Sequence, residues 1–224
     1  MTTTSLNHHL SETKNGLAEI APPDLFGVFA AEQARLDRTT DRERHVKVGD
    51  NVPTFLLPTV DGSIVTLDEL LEGGPAVLVF YRGAWCPYCN VALKAYQQEV
   101  LPGLTELGVP LVAISPQGPD GSLTTAQTNE LGFPVLTDRG SAYAHQLGIV
   151  VELTEDVQRA QLAFGNDFTR INAGGEWQLP MPTVLVVDRD RTVRFVDVRP
   201  DYTTRTEPSA VLDAAARAVR AASS

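Results

Sequence analysis

The chain has 224 residues, 43% of them hydrophobic and 21% charged, a balance that excludes collagen-like, disordered and membrane-spanning proteins. Acidic residues outnumber basic ones by 28 to 18, and the formal net charge of −10 argues against nucleic acid or an anionic membrane surface as a partner. A chain of this length is expected to form one domain with extensions and to bury a full hydrophobic core.

Residues 1–45 are rich in Thr, Ala, Glu and Arg and sparse in apolar side chains. They predict a helical arm of two helices, the first between Leu6 and Ile20 and the second from Phe26 to about Arg44, separated by two prolines. The arm is expected to pack on the domain or on a partner subunit, which would permit a homodimer. It has no basic region followed by a long apolar run, so no signal peptide is predicted and a cytoplasmic location is expected.

From Val46 to residue 224, apolar segments alternate with helical ones, and we treat this part as a single α/β domain. Three continuous apolar runs fit strands that are buried on both faces of a sheet, namely 76–81, 110–115 and 183–188. The stretch Cys86–Val100 predicts a helix between the first two runs, and this strand–helix–strand unit requires a right-handed crossover. Val193–Val198 predicts a last strand in a hairpin with the third run, and Glu207–Ala222 predicts a closing helix.

Shorter elements are expected between these. Two short strands flank a turn at Asp61-Gly62 and are followed by a helical turn. The segment 150–180 shows little periodicity beyond one helix. The predicted short elements are strands at 55–57 and 63–65, a helical turn at 68–71, helices at 124–131, 141–147 and 153–164, and a strand at 133–137.

The strongest local pattern is Cys86-Pro87-Tyr88-Cys89, at the end of a buried strand and the start of a helix. The free N–H groups and the positive dipole end of a helix N-terminus stabilise a thiolate, which is the reactive form of cysteine. Pro87 suits the first helical turn because its missing N–H costs nothing there. Since the dipole effect fades within one turn, Cys86 is predicted to be the exposed nucleophile with the lower pKa.

A zinc half-site or an inert buried pair is the alternative interpretation. Zinc normally takes four ligands, and the chain has only these two cysteines and four histidines without ligand spacing, so no metal is expected. No cofactor is expected either, because Gly73-Gly74 and Gly174-Gly175 lack the spacing of a phosphate loop. A Cys-x-x-Cys pair beside a strand–helix–strand pattern favours a redox dithiol.

Four further residues are predicted to support the pair. Pro182 and Thr183 open the third apolar run, and a cis bond before Pro182 would place them beside the cysteines; a plain strand-opening proline is the alternative. Arg82 is either a thiolate-stabilising group or a solvated loop residue, and Trp85 is adjacent in sequence to the pair. The arginines at 199 and 205 are assigned no role.

An ordered series of segments resembles the AhpC/TSA peroxiredoxin-like proteins of the thioredoxin-fold superfamily, from about Val46 to Ala218. The segments are VGDNVPTFLLPTVDG (48–62), FYRGAWCPYCN (80–90), AISPQGPDGSL (113–123), FPVLTD (133–138), MPTVLVVDRD (181–190) and PDYTTRTEP (200–208). The resemblance implies a thioredoxin-like three-layer α/β/α sandwich with a mixed central sheet and an N-terminal helical extension.

The peroxiredoxin pattern Pro-x-x-x-Thr-x-x-Cys aligns with this chain without gaps. It places the family's peroxidatic cysteine at Cys89, its threonine at Cys86 and its proline at Arg82, while the family's distant arginine falls at Pro182. The resemblance therefore implies a subgroup that retains Cys-x-x-Cys and reduces peroxide slowly.

Two mechanisms follow. In a thioredoxin-like cycle, Cys86 attacks a substrate disulfide and Cys89 resolves the mixed disulfide. In a peroxiredoxin-like cycle, Cys89 reduces a hydroperoxide and Cys86 condenses with the resulting sulfenic acid. Both cycles end in a Cys86–Cys89 disulfide that thioredoxin or a small thiol must reduce.

The resemblance implies an antioxidant, thiol-dependent oxidoreductase that reduces hydroperoxides. The alternatives are a protein disulfide oxidoreductase and a redox-sensing binding protein. The sensing protein would engage its partner through the arm or through residues 150–180 when the disulfide forms.

Overall fold

The computed structural model describes residues 5–119, 125–127 and 129–222. Two helices lead the chain, α1 (Leu6–Ile20) and α2 (Pro23–Thr39). The Ser5 side chain accepts a hydrogen bond from the His8 N–H and caps α1, and Pro23 opens α2 where no N–H is needed. The second helix ends at Thr39 rather than near Arg44, and a separate 3-10 turn covers Arg42–Arg44.

The remaining elements follow in the predicted alternation. The strands are β1 (Leu56–Pro58), β2 (Ile64–Thr66), β3 (Ala76–Phe80), β4 (Leu111–Ser115), β5 (Val135–Thr137), β6 (Val150–Glu152), β7 (Gln178–Pro180), β8 (Thr183–Val187) and β9 (Val193–Val198). The helices are α3 (Leu67–Leu70), α4 (Pro87–Ala95), α5 (Leu101–Glu106), α6 (Ala142–Gln146), α7 (Glu155–Ala163), α8 (Phe168–Ile171) and α9 (Pro208–Ala222). The predicted helix 124–131 and the segment 113–123 lie partly outside the described residues, although 125–127 are helical.

The central sheet has five strands in the order β5-β4-β3-β8-β9. β3, β4 and β5 run parallel to one another, whereas β8 pairs antiparallel with both β3 and β9. β3, β4 and β8 are buried along their whole length, as continuous apolar runs predict. Two small antiparallel sheets, β1-β2 and β6-β7, complete the strand pairing.

Helices cover both faces of this sheet. Val77 and Val79 of β3 point to the face that packs against α1, α4 and α9, while Leu78 and Phe80 point to the face that packs against α3 and α6. The predicted three-layer α/β/α sandwich with a mixed sheet and N-terminal helices is therefore confirmed. The division of the chain at residue 45 stays a prediction, and α1 shares its core with α4.

The topology brings distant parts of the chain to one end of the sheet. β3 ends at Phe80, which is paired with Thr183 at the start of the antiparallel β8. The loop before α4 therefore lies next to the loop before β8, and the segment after β9 ends at the same side. Among the described residues, no helix combines the length and the apolar character that a membrane span requires.

Candidate active site

The two cysteines occupy the start of α4. Cys86 is the N-cap residue, Pro87 is the first helical residue, and Cys89 lies in the first turn. Both thiols are free and buried, with exposures of 1% for Cys86 and 0% for Cys89. The prediction that Cys86 is exposed is therefore wrong, because the core beneath α1 and α4 closes over the whole first turn.

Two donors from different parts of the chain converge on the Cys89 sulfur. The Arg82 backbone N–H donates to Sγ over 3.4 Å, and the Arg205 guanidinium donates through Nη2 over 3.0 Å. Hydrogen bonds of this kind favour the ionised thiol because the sulfur accepts them best as a thiolate. The site thus holds a negative sulfur inside the protein.

The two thiols differ strongly in pKa. Burial opposes ionisation of Cys89, but the hydrogen bond from Cys86, the charge of Arg205 and the Arg82 N–H together lower the pKa of Cys89 to about 5. Burial, followed by the hydrogen bond and charge of Cys89, raises the pKa of Cys86 well above its ordinary range. The predicted order of the two pKa values is reversed, because the hydrogen bond from Cys86, the Arg205 guanidinium and the Arg82 N–H all lower the pKa of Cys89 and together outweigh the helix dipole at Cys86.

Arg205 is the functional residue that sequence reasoning missed. It is 4% exposed, and its Nη1 donates to the carbonyls of Tyr202 and Thr204 over 2.6 Å each, which leaves Nη2 for the sulfur. It lies 116 residues after Cys89, so no local pattern links the two. Two arginines, Arg199 and Arg205, lie between the last strand and α9, and only the structure shows that Arg205 is the one that contacts Cys89.

Arg82 stabilises the Cys89 thiolate with its backbone N–H as well as with its positive charge. Its guanidinium carbon lies 4.2 Å from the ring centroid of Tyr202 and 5.0 Å from that of Trp85, and the residue is buried. The alternative of a solvated loop residue is therefore wrong. The Trp85 ring in turn packs on Phe168 of α8 at a centroid distance of 4.6 Å, which connects the loop before α4 to the segment 150–180.

Pro182 and Thr183 lie near the cysteines, but the expected cis bond is absent. Every described peptide bond is trans, including Met181–Pro182. The Met181 N–H donates to the Ile149 carbonyl, and the Pro182 carbonyl accepts from the Arg199 N–H, so sheet-like pairing holds the extended trans form. Pro182 and Thr183 line a cavity of about 10 Å³ together with Cys89 and Arg205.

The arrangement supports thiol redox chemistry. Cys89 presents a stabilised thiolate, and Cys86, within hydrogen-bonding contact, is placed to close a disulfide with it. Across 5–119, 125–127 and 129–222, no group of three or more His, Cys, Asp or Glu side chains is placed to hold a metal ion.

Known proteins match both the sequence and the fold. Residues 48–196 match the sequence model of the AhpC/TSA family. A putative peroxiredoxin bcp of Coxiella burnetii is 29% identical over 107 residues, which are 48% of this chain and 70% of the relative. Peroxiredoxin Bcp of Escherichia coli K12 is 30% identical over 104 residues, 46% of this chain and 65% of the relative.

Solved structures agree with these relatives. The crystal structure of peroxidoxin BcpB from Mycobacterium tuberculosis superposes with a TM-score of 0.60 and 26% identity, and the match covers 79% of this chain and 98% of that one. A peroxiredoxin-like protein from Aquifex aeolicus superposes with a TM-score of 0.59 at 15% identity, over 77% of this chain and 88% of that one, and shares the fold. Because the family match spans most of the chain and includes the cysteine pair, this chain belongs to the AhpC/TSA family.

Proposed function

We propose that the protein is a thiol-dependent peroxidase in which Cys89 attacks the peroxide and Cys86 resolves the product. The observation that carries the proposal is the 3.0 Å contact between the Arg205 guanidinium and the Cys89 sulfur in a buried site. It supports Cys89 as the thiol that is ionised at neutral pH. The predicted class, a peroxiredoxin-type thiol oxidoreductase, is confirmed by the family match and its relatives.

The first half of the cycle consumes the peroxide. The Cys89 thiolate attacks the terminal oxygen of the hydroperoxide, the O–O bond breaks, and the leaving oxygen takes a proton and departs as an alcohol or water. Cys89 is oxidised by two electrons to sulfenic acid, and the peroxide is reduced by two. Arg205, already hydrogen-bonded to the sulfur, is placed beside the developing negative charge on the leaving oxygen.

The second half depends on a change in the charge next to Cys86. While Cys89 is a thiolate, its hydrogen bond and charge raise the pKa of Cys86. Sulfenic acid formation removes that charge, and the positive charges of Arg82 and Arg205 then favour ionisation of Cys86. Cys86 attacks the sulfenic sulfur, the S–S bond forms, and the hydroxyl leaves as water. The thiol that was silent in the first step is thereby activated for the second.

Burial disfavours a protein disulfide as the first substrate, because it is far larger than a hydroperoxide. Both sulfurs are covered, and the cavity beside Cys89 measures about 10 Å³, room for about one water molecule, so a hydroperoxide also reaches Cys89 only when the surrounding side chains move. A protein disulfide would have to reach a sulfur that is at most 1% exposed. The expectation of slow peroxide turnover came from the absence of an arginine at Pro182, and Arg205 supplies the guanidinium that the alignment does not place there.

The reductant in this proposal is thioredoxin or a low-molecular-weight thiol, because the cycle leaves a dithiol oxidised and two electrons must return. A reducing cytoplasm would supply them. Assembly as a homodimer and a redox-sensing role for residues 150–180 stay predictions.

The test compares Cys86→Ser and Cys89→Ser. We expect one equivalent of peroxide to oxidise the Cys86→Ser protein to a sulfenic acid that dimedone traps, because Cys89 and Arg205 remain. The Cys89→Ser protein should stay reduced and show no turnover. Mass spectrometry of both variants and of the wild type, in which the disulfide should form, distinguishes the outcomes. Sulfenate or mixed disulfide on Cys86 in the Cys89→Ser protein would support the thioredoxin-like alternative instead.

A further inference from the structure

The backbone of Arg205 is hydrogen-bonded by the side chain of Asn7, which lies near the N-terminus. The Arg205 N–H donates to Asn7 Oδ1 over 2.9 Å, and Asn7 Nδ2 donates to the Arg205 carbonyl over 2.8 Å. One amide side chain thus pairs with both polar backbone groups of a single residue. Two such bonds fix the position and the orientation of that residue, in the way that a neighbouring strand would.

Glu207 fixes the side chain of Asn7 in turn. Its carboxylate accepts from the N–H groups of Leu6 and Asn7 over 2.9 and 3.0 Å, and from Asn7 Nδ2 over 2.6 Å. The Arg205 carbonyl and the Glu207 carboxylate each accept one of the two hydrogens of Asn7 Nδ2. This fixes the orientation of the amide, so that the Asn7 oxygen faces the Arg205 N–H. A carboxylate at the N-terminus of α1 is also favourable with respect to the helix dipole.

The helix that carries Asn7 is anchored in the same core as the cysteines. Leu6 and Leu10 of α1 are buried in the cluster that contains Cys86 and Cys89. The two hydrogen bonds to the Arg205 backbone are therefore made from a helix that is packed in the core, and not from a loose chain terminus. Asn7 and Arg205 both lie outside residues 48–196, the part of the chain that matches the family model.

We propose that Asn7 is a positioning residue that holds the Arg205 guanidinium against the Cys89 sulfur. The inference rests on the proposed function, in which Arg205 stabilises the Cys89 thiolate. Without the Asn7 amide, the N–H and the carbonyl of Arg205 lose their partners. The segment then relaxes, and the guanidinium leaves the sulfur for part of the time.

The experiment measures the ionisation of Cys89 directly. In a Cys86→Ser background, where the serine hydroxyl still donates to Cys89, the thiolate absorbance is followed as a function of pH. We expect Asn7→Ala to raise the midpoint by about one pH unit, equivalent to about tenfold less thiolate below the midpoint. Arg205→Met should raise it further, because the charge itself is lost.

A control variant separates positioning from a general loss of stability. Leu17 is a half-buried residue of α1 that packs on the same core but lies far along the helix from Asn7. Leu17→Ala should lower the midpoint of urea unfolding and leave the Cys89 midpoint unchanged. Should Asn7→Ala fail to fold, Asn7→Leu keeps the approximate size of the side chain, loses both hydrogen bonds to the Arg205 backbone without adding a charge beside Glu207, and should still raise the midpoint.

The outcomes distinguish this inference from the proposed function. An unchanged midpoint in Asn7→Ala or Asn7→Leu, together with a raised one in Arg205→Met, would overturn the role of Asn7 alone. An unchanged midpoint in Arg205→Met would overturn the role of Arg205 in the proposed function. An equal rise in Leu17→Ala would show that α1 acts only through stability.

Discussion

Two cysteines within one helical turn have opposite pKa shifts, and the contact at each sulfur explains the difference. A helix N-terminus is worth about 0.3–1 kcal/mol to a nearby negative charge, whereas a hydrogen bond to a charged group contributes about 1.5–3 kcal/mol. Cys89 has the guanidinium and a backbone N–H, while Cys86 has a neighbouring thiolate. The larger effect therefore selects Cys89, even though Cys86 is nearer to the helix end.

The geometry of Arg205 predicts that lysine cannot replace it. Its planar guanidinium donates to two carbonyls and the sulfur at the same time, which a lysine ammonium cannot do in that arrangement. For Arg205→Lys we expect kcat/KM for peroxide to fall about tenfold at pH values below the wild-type midpoint of Cys89 ionisation, a loss of about 1.4 kcal/mol. Stopped-flow kinetics against pH measure it.

A conservative exchange elsewhere provides the control for this prediction. Arg194, whose side chain is 41% exposed, forms an ion pair with the buried Asp188 at the far end of β8 from the cysteines. Arg194→Lys should leave the pH profile unchanged, because Arg194 contacts neither thiol and lysine keeps its positive charge. Equal rates for Arg205→Lys and the wild type at all pH values would count against a bound guanidinium.

At the scale of elements, a π-helical turn links α4 to the arginine segment. Residues Tyr96–Val100 form this turn between α4 and α5, and the Tyr96 hydroxyl donates to the Thr206 carbonyl over 2.7 Å in a fully buried position. π-Helical turns are frequent at functional sites because the extra residue redirects the side chains. Here the turn presents Tyr96 to the residue that follows Arg205.

Removing the Tyr96 hydroxyl should therefore affect both stability and chemistry. Tyr96→Phe keeps the ring and leaves a buried carbonyl unpaired, which should cost about 1–3 kcal/mol in urea unfolding. It should also raise the midpoint of Cys89 ionisation, since the segment that carries Arg205 loses a restraint.

Tyr143 offers a matched comparison for this variant. Its hydroxyl also donates to a backbone carbonyl, that of Pro53, over 3.0 Å, but on the other face of the sheet. Tyr143→Phe should lower stability similarly without any change in Cys89 ionisation. A change of equal size in both variants would mean that the π-helical turn has no special connection to the site.

The elements show which parts of the fold the sequence could predict. β3, β4 and β8 were predictable because both faces are buried and the apolar runs end at breakers. The three-residue strands β6 and β7 were not, since they pair across a long intervening segment, whereas the equally short β1 and β2 flank the turn at Asp61-Gly62.

The site was predictable only in its local part. The Cys86–Cys89 pair is a sequence motif, whereas the burial of Cys86, the trans bond before Pro182 and the inward turn of Arg205 all depend on tertiary packing and strand pairing.

At the scale of the whole molecule, the segment before α9 contacts both the first turn of α1 and the Cys89 sulfur. Glu207, just before α9, binds the first turn of α1, and Arg205, two residues earlier, binds Cys89 in the middle of the chain. The stability of the fold and the ionisation of one thiol are therefore linked. A group whose pKa differs between the folded and unfolded states makes the free energy of unfolding depend on pH, and the direction of that dependence can be measured.

The last prediction follows from that sign. The pKa of Cys89 is about 5 in the fold and about 9 in an unperturbed thiol, so the folded state stabilises the Cys89 thiolate relative to the unfolded state. This contribution is complete above about pH 9, decreases as the pH falls, and is gone below about pH 5. As the pH increases from about 5 to about 9, the free energy of unfolding of the reduced wild type should therefore rise relative to that of Cys89→Ser. Urea unfolding with a reductant present measures this difference. Cys86→Ser should retain the rise, because its serine still donates to Cys89; parallel curves for the wild type and Cys89→Ser would show that no thiolate is held in the fold.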